Sequence, residues 1–349
     1  MKKIILFLLV LTSTLALAQQ PYYDDVDVTL TGQALYIELQ NKISNANPSF
    51  NYGDIRDVVK ITDEDPDNSA NVLLVYGSND NDGNCTTDRS RDKDDFGGTG
   101  CDYNREHVFA TSNANPEMGS PSNSTTGIAA DPHNIRPSDQ QMNNNKGTKR
   151  FATGSGPAGD VGSGDWYPGD EWKGDVARMM MYMYTRYGDR CLPSLNGNSP
   201  LQGSTQMLQI YLQWNVDDPV SEMEDQRNPY LQNVYGNRNP FIDQPALATA
   251  IWGGPQAEDR WSNLSVTENN IIDVSVYPNP VLDNVFVSTS TSVPLEEISV
   301  YDVNGRLLQT LQSNDDDIAK INTQGMQSGI YFLKIVSANG TITKRISKQ

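Results

Sequence analysis

Apolar residues recur with a helical period along the first part of the chain and with a period of two along its last part, and that change divides the sequence. Val176, Met179, Met180, Met183 and Tyr184 share one face of a helix predicted over 175–187. The methionine stripe reads as a core face, because flexible thioethers fill irregular gaps. A second helix is predicted over 32–43, and a third over 204–214, closed by the breaker Asp217-Asp218-Pro219. A further helix can begin at Gln140 and run to Lys146, after the break at Pro137-Ser138-Asp139. From Val274 onward the pattern alternates: Val274-Ser275-Val276-Tyr277, Val285-Phe286-Val287-Ser288, Ile298-Ser299-Val300-Tyr301 and Tyr331-Phe332-Leu333-Lys334-Ile335 read as strands. Turns at Pro278-Asn279-Pro280, Asn304-Gly305 and Ser328-Gly329 separate them, so 274–349 is predicted to be a small all-β sandwich, joined by a linker at 264–273 to a domain covering 19–263.

The first residues follow a different logic. Lys2 and Lys3 precede an apolar run from Ile4 to Val10, and Ala16-Leu17-Ala18 closes the segment, which reads as a signal peptide over 1–18. The run is too short to span a bilayer, and no later apolar stretch is long enough, so an exported protein without stable membrane insertion is expected.

Composition changes the picture at three points. The chain has 349 residues with 37% hydrophobic positions, enough for two folded units, while a mean hydropathy of -0.56 announces long polar loops. Three cysteines suit an oxidising compartment. Cys85 with Cys101 is the expected disulfide and leaves Cys191 odd, with Cys101–Cys191 as the open alternative. The net charge of -18 argues against a polyanionic partner, unless the acids lie apart from the site. Acidic runs at 63–67, 80–82 and 92–95 read as solvated loops, since they lack the ligand spacing of a calcium-binding EF-hand loop.

The chain holds two histidines, in Asn104-Arg105-Glu106-His107-Val108-Phe109-Ala110 and in Asp131-Pro132-His133-Asn134-Ile135-Arg136-Pro137. Imidazole, with an ordinary pKa of about 6.5, suits a general base near neutral pH. A hard divalent cation wants carboxylate, amide and water oxygens, which Glu106 and Asn143 can offer if the 140–146 helix folds back toward Glu106. The plain alternative for Glu106-His107 is a turn histidine beside a solvated acid. Arg136, Lys146, Lys149 and Arg150 lie close in sequence and could grip phosphates. Trp166, Tyr167 and Trp172 offer stacking surfaces or ordinary packing.

These segments resemble the endonuclease I family, secreted and periplasmic nucleases of the ββα-metal, or His-Me finger, group. The resemblance runs through Thr29–Ile242. It also takes in Gly174-Asp175-Val176-Ala177-Arg178, Asp218-Pro219-Val220-Ser221 and Gly236-Asn237-Arg238-Asn239-Pro240-Phe241-Ile242-Asp243. It implies an α+β domain in which a two-stranded ribbon and a helix clasp one divalent metal ion, Mg2+ first with Mn2+ or Ca2+ in its place. It assigns the general base to His107 and the metal ligands to Glu106 and Asn143. Arg136 and Arg178 become candidates for the arginine on the scissile phosphate, and His133 for an orienting role. Pro132 departs from the leucine common after the aspartate. Tyr277-Pro278-Asn279-Pro280, Val300-Tyr301-Asp302-Val303-Asn304-Gly305 and Ser328-Gly329-Ile330-Tyr331 resemble the sorting domain of the type IX secretion system. Together the two resemblances imply a monomeric, metal-dependent, non-specific endonuclease acting on DNA, with RNA as a further candidate. They imply export through the periplasm by the type IX machinery, to release or surface attachment. The alternative is a non-catalytic nucleic-acid-binding or adhesin surface protein that keeps the shape alone.

Overall fold

Residues 19–98, 100–261, 274–289, 295–303, 305–312, 318–337 and 340–349 are described by a computed structural model; the expected signal peptide, the expected linker and Asn304 lie outside them. The chain divides into two compact units, Met1–Trp261 and Ser262–Gln349.

The first unit is built of helices α1 (Gly32–Ser44), α2 (Ile55–Thr62), α3 (Gln140–Lys146), α4 (Lys173–Tyr187), α5 (Pro193–Asn196), α6 (Gln209–Asp217), α7 (Glu222–Tyr235), α8 (Pro240–Asp243) and α9 (Ala246–Trp252). Its strands are short: β1 (Glu64–Asp65), β2 (Asn68–Leu73) and β3 (Ser90–Asp92) form one antiparallel sheet, β4 (Tyr103–His107) pairs with β5 (Ile135–Asp139), and β6 (Gly159–Val161) pairs with β7 (Asp165–Tyr167). α4 is the hub. Val176, Ala177, Met179, Met180, Met181 and Met183 are all buried, so the methionine stripe is a core face, and α4 packs against α1 and α6. Each of these valine and methionine side chains contributes roughly 1.5–3 kcal/mol by leaving water. The predicted third helix begins later than 204, at Gln209, because the preceding residues form a turn instead, with Leu201 bridged to Leu208. A second core joins α2, α7 and the ribbon through Ile55, Val59, Val72, Tyr103, Ile135 and Leu231.

Between these cores runs a buried ionic network. Asp63 accepts from Arg136 Nε and from Arg227 Nη1 at 2.6 Å, and Arg136 Nη1 reaches Asp175 Oδ2 at 2.9 Å. Arg178 meets Glu224 through Nε and Nη2, both at 2.7 Å. Asp63 is therefore a correction to the solvated-loop reading of 63–67: it is fully buried, and two guanidinium groups compensate its charge.

In the second unit, β8 (Val274–Tyr277), β9 (Asn284–Thr289) and β12 (Ile318–Asn322) form a three-stranded sheet in the order β12-β9-β8. β10 (Leu295–Asp302), β11 (Leu307–Gln312), β13 (Gly329–Ser337) and β14 (Gly340–Lys348) form a four-stranded sheet in the order β11-β10-β13-β14. Val285, Val287 and Ile321 from one sheet share a core with Ile298, Val300, Leu333 and Ile335 from the other, the inward half of each alternation.

Candidate active site

The ribbon β4-β5 and helix α3 form a continuous strand–strand–helix unit. Its register sets Glu106 opposite Arg136 and His107 opposite Ile135. Asn134 locks the ribbon's end with its side chain, accepting from Phe109 N at 2.7 Å and donating to Phe109 O at 3.0 Å. Upstream, the buried Asp131 carboxylate takes Arg186 at 2.6 Å and the Tyr187 hydroxyl at 2.7 Å, which anchors the entry to β5 on α4. Asp139 then caps α3, accepting from Gln141 N at 2.8 Å and Met142 N at 3.0 Å, while Arg91 Nη1 holds its other oxygen at 2.8 Å. Gly147, at φ +51°, lets the chain leave α3 in a conformation that side chains disfavour.

Strand alternation and helical spacing place the polar groups. Asn104 and Glu106 lie on the same face of β4, and Asn143 and Lys146 lie one turn apart on α3. Asn143 Nδ2 donates to Asn104 Oδ1 at 2.7 Å, and Lys146 Nζ comes within 3.9 Å of Glu106 Oε1. Glu106 is 4% exposed, and the Tyr76 hydroxyl donates to it at 3.2 Å. Burial pushes the Glu106 carboxyl up to about 7, against the opposing pull of Lys146 and the Tyr76 hydrogen bond. Tyr76 sits at φ +75°, and among the described residues no other non-glycine has a positive φ.

His107 points to the other side of the strand. Its ring stacks on Tyr52 with centroids 5.4 Å apart and planes 15° from parallel, and its Nε2 lies 2.8 Å from the Ala129 carbonyl. A carbonyl can only accept, so Nε2 carries the proton and Nδ1 keeps its lone pair. Burial lowers the His107 pKa to about 4, with the Ala129 carbonyl opposing and the charges of Arg105 and Lys146 adding to the shift.

The remaining expected residues fall elsewhere. Arg136 is 1% exposed and Arg178 0% exposed, each committed to the ionic network, and neither guanidinium can reach a substrate without breaking buried ion pairs. This corrects their assignment to the scissile phosphate. Lys146 is also corrected: it is fully buried, its Nζ lacks a hydrogen-bond partner, and it lies over the Phe151 ring, so it belongs to the floor beneath Glu106 and not to a substrate surface. Lys149 pairs with Asp160, and Arg150 lies 3.7 Å from Asp165; both keep exposed surface. His133 is buried against Tyr182, with Nε2 3.3 Å from the Asn237 carbonyl, and burial holds its pKa down at about 3; it is a packing residue. Trp166, Tyr167 and Trp172 are core residues. Cys85 and Cys101 are bridged, and Cys191 is free and buried. Tyr52 and Tyr76 carry no local sequence signal, and Asn104, named within the Glu-His segment, has no role assigned to it there.

The donor set suits a hard cation: a carboxylate and an amide from adjacent elements. Among the described residues no group of three or more His, Cys, Asp or Glu could hold a metal.

Comparison with known proteins agrees with this geometry. Residues 275–349 match the secretion system C-terminal sorting domain, which directs type IX export to the cell surface or the medium. No described helix is long and apolar enough to cross a membrane. An extracellular ribonuclease of Bacillus subtilis (strain 168) is 37% identical over 246 residues, covering 66% of this chain and 78% of that protein. The extracellular ribonuclease of Bacillus amyloliquefaciens is 39% identical over 236 residues, covering 64% and 75%. An extracellular deoxyribonuclease of Aeromonas hydrophila is 24% identical over 127 residues, covering 34% of this chain and 50% of that protein. Residues 31–246 match Endonuclease I, and with a ribbon and helix presenting a Glu-His pair the chain belongs to that family of nucleases.

Proposed function

We propose that the protein is a monomeric, metal-dependent, non-specific endonuclease that hydrolyses the phosphodiester backbone of DNA and RNA. The observation that carries this reading is the His107 tautomer: Nε2 is spent on the Ala129 carbonyl, and a lone pair on Nδ1 is held by a ring that stays neutral down to about pH 4. That nitrogen accepts the proton of a water aligned with phosphorus. Glu106 and Asn143 would hold the divalent ion, Mg2+ first with Mn2+ or Ca2+ in its place. When bound, it supplies positive charge against the charge developing on the phosphoryl and leaving oxygens. Asn104 fixes the Asn143 amide by taking its NH2, which leaves the amide oxygen for the ion. A substrate gripped through its phosphates is cut with little regard to base, because those contacts carry no sequence information. Ribonuclease and deoxyribonuclease names among the relatives support a site that accepts both polymers.

The test is digestion of plasmid DNA and of total RNA by the purified protein, with and without a chelator. Both polymers are expected to be cut, chelation to stop cutting, and Mg2+ to restore it. His107→Ala is expected to lose about 10²–10⁴-fold in rate with an unchanged circular dichroism spectrum. Cutting undiminished by exhaustive chelation excludes the metal mechanism. Binding with no cutting by the wild type marks a capture module instead.

A further inference from the structure

With Arg136 and Arg178 buried, the substrate's phosphates need other cations. Most arginines of the first unit are already spent: Arg89, Arg91, Arg150, Arg186, Arg238 and Arg260 each have a carboxylate oxygen within 4.0 Å, as do those of the buried network. Arg190 gives its donors to the Pro116 and Glu117 carbonyls. Arg56 and Arg105 differ. Among the described residues neither has an ion-pair partner, although Asp54 and Asp57 flank Arg56 in sequence. In a chain with 44 acidic and 26 basic residues, leaving two guanidiniums uncompensated side by side is notable, because like charges repel and acids are plentiful.

Their placement is specific. Arg105 lies two residues before His107 on the same side of β4, and both side chains pack on Tyr52, with the Arg105 guanidinium carbon 3.6 Å from the ring centroid. Tyr52 is itself fixed, because its N–H donates to Thr125 O at 2.8 Å and the next residue, Gly53, donates to Asn123 O at 2.8 Å. Arg105 donates from Nη1 to the Tyr52 carbonyl and from Nη2 to Asn123 Oδ1 at 3.4 Å, which leaves three of its five N–H groups. Phe96 joins it to Arg56: the two guanidinium carbons lie 5.6 Å and 5.3 Å from the Phe96 centroid. Arg105 is half-buried and Arg56 exposed, so the first is held in a fixed pose and the second can close on a ligand.

We infer that Arg105 and Arg56 form a phosphate-binding subsite beside His107, which grips the backbone of the nucleic acid strand being cut. The inference rests on the proposed nuclease function and adds to it the residues that hold the strand. Guanidinium groups offer paired N–H donors that match phosphate oxygens, and the Tyr52 and Phe96 rings lie against them without neutralising their charge. An incoming phosphate supplies the negative charge that the fold withholds.

The test measures binding of a fluorescent 20-base-pair DNA duplex by the full chain carrying His107→Ala, across a salt series, with Arg56→Gln, Arg105→Gln or Arg89→Gln added. Arg56→Gln and Arg105→Gln are each expected to weaken binding roughly tenfold. Each should also make the fall of log K with log salt shallower by about 0.9. Arg89→Gln removes the same charge from an ion pair with Glu171 and is expected to change neither. Unchanged affinity and slope in both Arg56→Gln and Arg105→Gln overturn the inference. So does an equal effect of Arg89→Gln, which would mean that only total charge matters. An effect of Arg105→Gln accompanied by a lower melting temperature, with Arg56→Gln silent, assigns Arg105 to packing and overturns it too. Binding is read without turnover, so a wild type that fails to cut defeats the proposed function and leaves this measurement intact.

Discussion

Glu106 gains its chemistry from where it is buried. A carboxyl raised from 4.5 to about 7 binds a proton in the folded protein over a pH range in which the unfolded chain has lost it. Stability contributed by Glu106 is therefore greatest below the unfolded value and falls as pH rises through about 7. In chelator, the melting temperature of the wild type is expected to fall relative to that of Glu106→Gln between pH 4.5 and 7, and Mg2+ should restore it at the upper end. Differential scanning fluorimetry of the two proteins checks this; parallel pH profiles would count against a buried, metal-seeking carboxylate. Tyr76 serves the same carboxylate from a backbone conformation that costs on the order of 1–3 kcal/mol. Tyr76→Gly is expected to relieve that strain and still lose metal affinity, read by calorimetric titration. At this scale Glu106, His107 and Asn143 stand out through the resemblance to the endonuclease I family, because a Glu-His pair by itself reads equally well as a turn histidine beside a solvated acid. Arg136 and Arg178 were not, because an arginine's fate is decided by distant acids such as Asp63 and Glu224 that a local reading cannot place beside it.

Helix α3 carries Asn143 on seven residues, and seven residues do not hold a helix by themselves. Its start depends on Asp139, which caps two backbone N–H groups and pairs with Arg91. Asp139→Ala removes a cap worth about 1 kcal/mol and takes from buried Arg91 one of its two carboxylate partners, which adds more. We expect a clear drop in melting temperature together with a weaker Mg2+ response, because Asn143 loses its pose. A thermal shift without any change in metal dependence would mean that α3 is held chiefly by packing. The 140–146 helix was readable from the Pro137-Ser138-Asp139 break. α7 holds Pro229 inside it, which argues against a helix there, yet its capping box, Ser221 with Glu224, is written in the sequence as Ser-x-x-Glu. The strands of the ribbon escaped a periodic reading. Five residues with Pro137 among them show no alternation, and their pairing is fixed by the Asn134 clamp and by Val75 N–H donating to the Pro137 carbonyl at 2.9 Å.

At the scale of the molecule, the two units have separate hydrophobic cores, one around α4 and one between the two sheets of the C-terminal unit. A chain ending at Trp261 is expected to retain the wild-type cleavage rate and to remain unexported, measured by plasmid digestion and by its presence in the culture medium. Loss of cleavage in a folded truncation would tie the sorting domain to catalysis. The change of hydrophobic period announced this division. It did not reveal that β11, β12 and β14 complete the sheets, because Leu307–Gln312 and Ile318–Asn322 are short with three apolar residues each, Gly340–Lys348 has two, and their pairing depends on neighbours already in place.

The bridge between Cys85 and Cys101 fastens the turn at Cys85–Thr87 to a position two residues before the ribbon, and Arg91 carries the connection onward, bonding the Cys85 carbonyl at 2.6 Å and Asp139 at 2.8 Å. Closing a loop of this length is worth about 3 kcal/mol. A newly made chain, still reduced, lacks that fastening while it shares a compartment with the genome and transcripts of the cell that made it. Oxidation on the way out therefore completes the hold on the ribbon's entry, and a lower melting temperature in reductant is the expected sign of it.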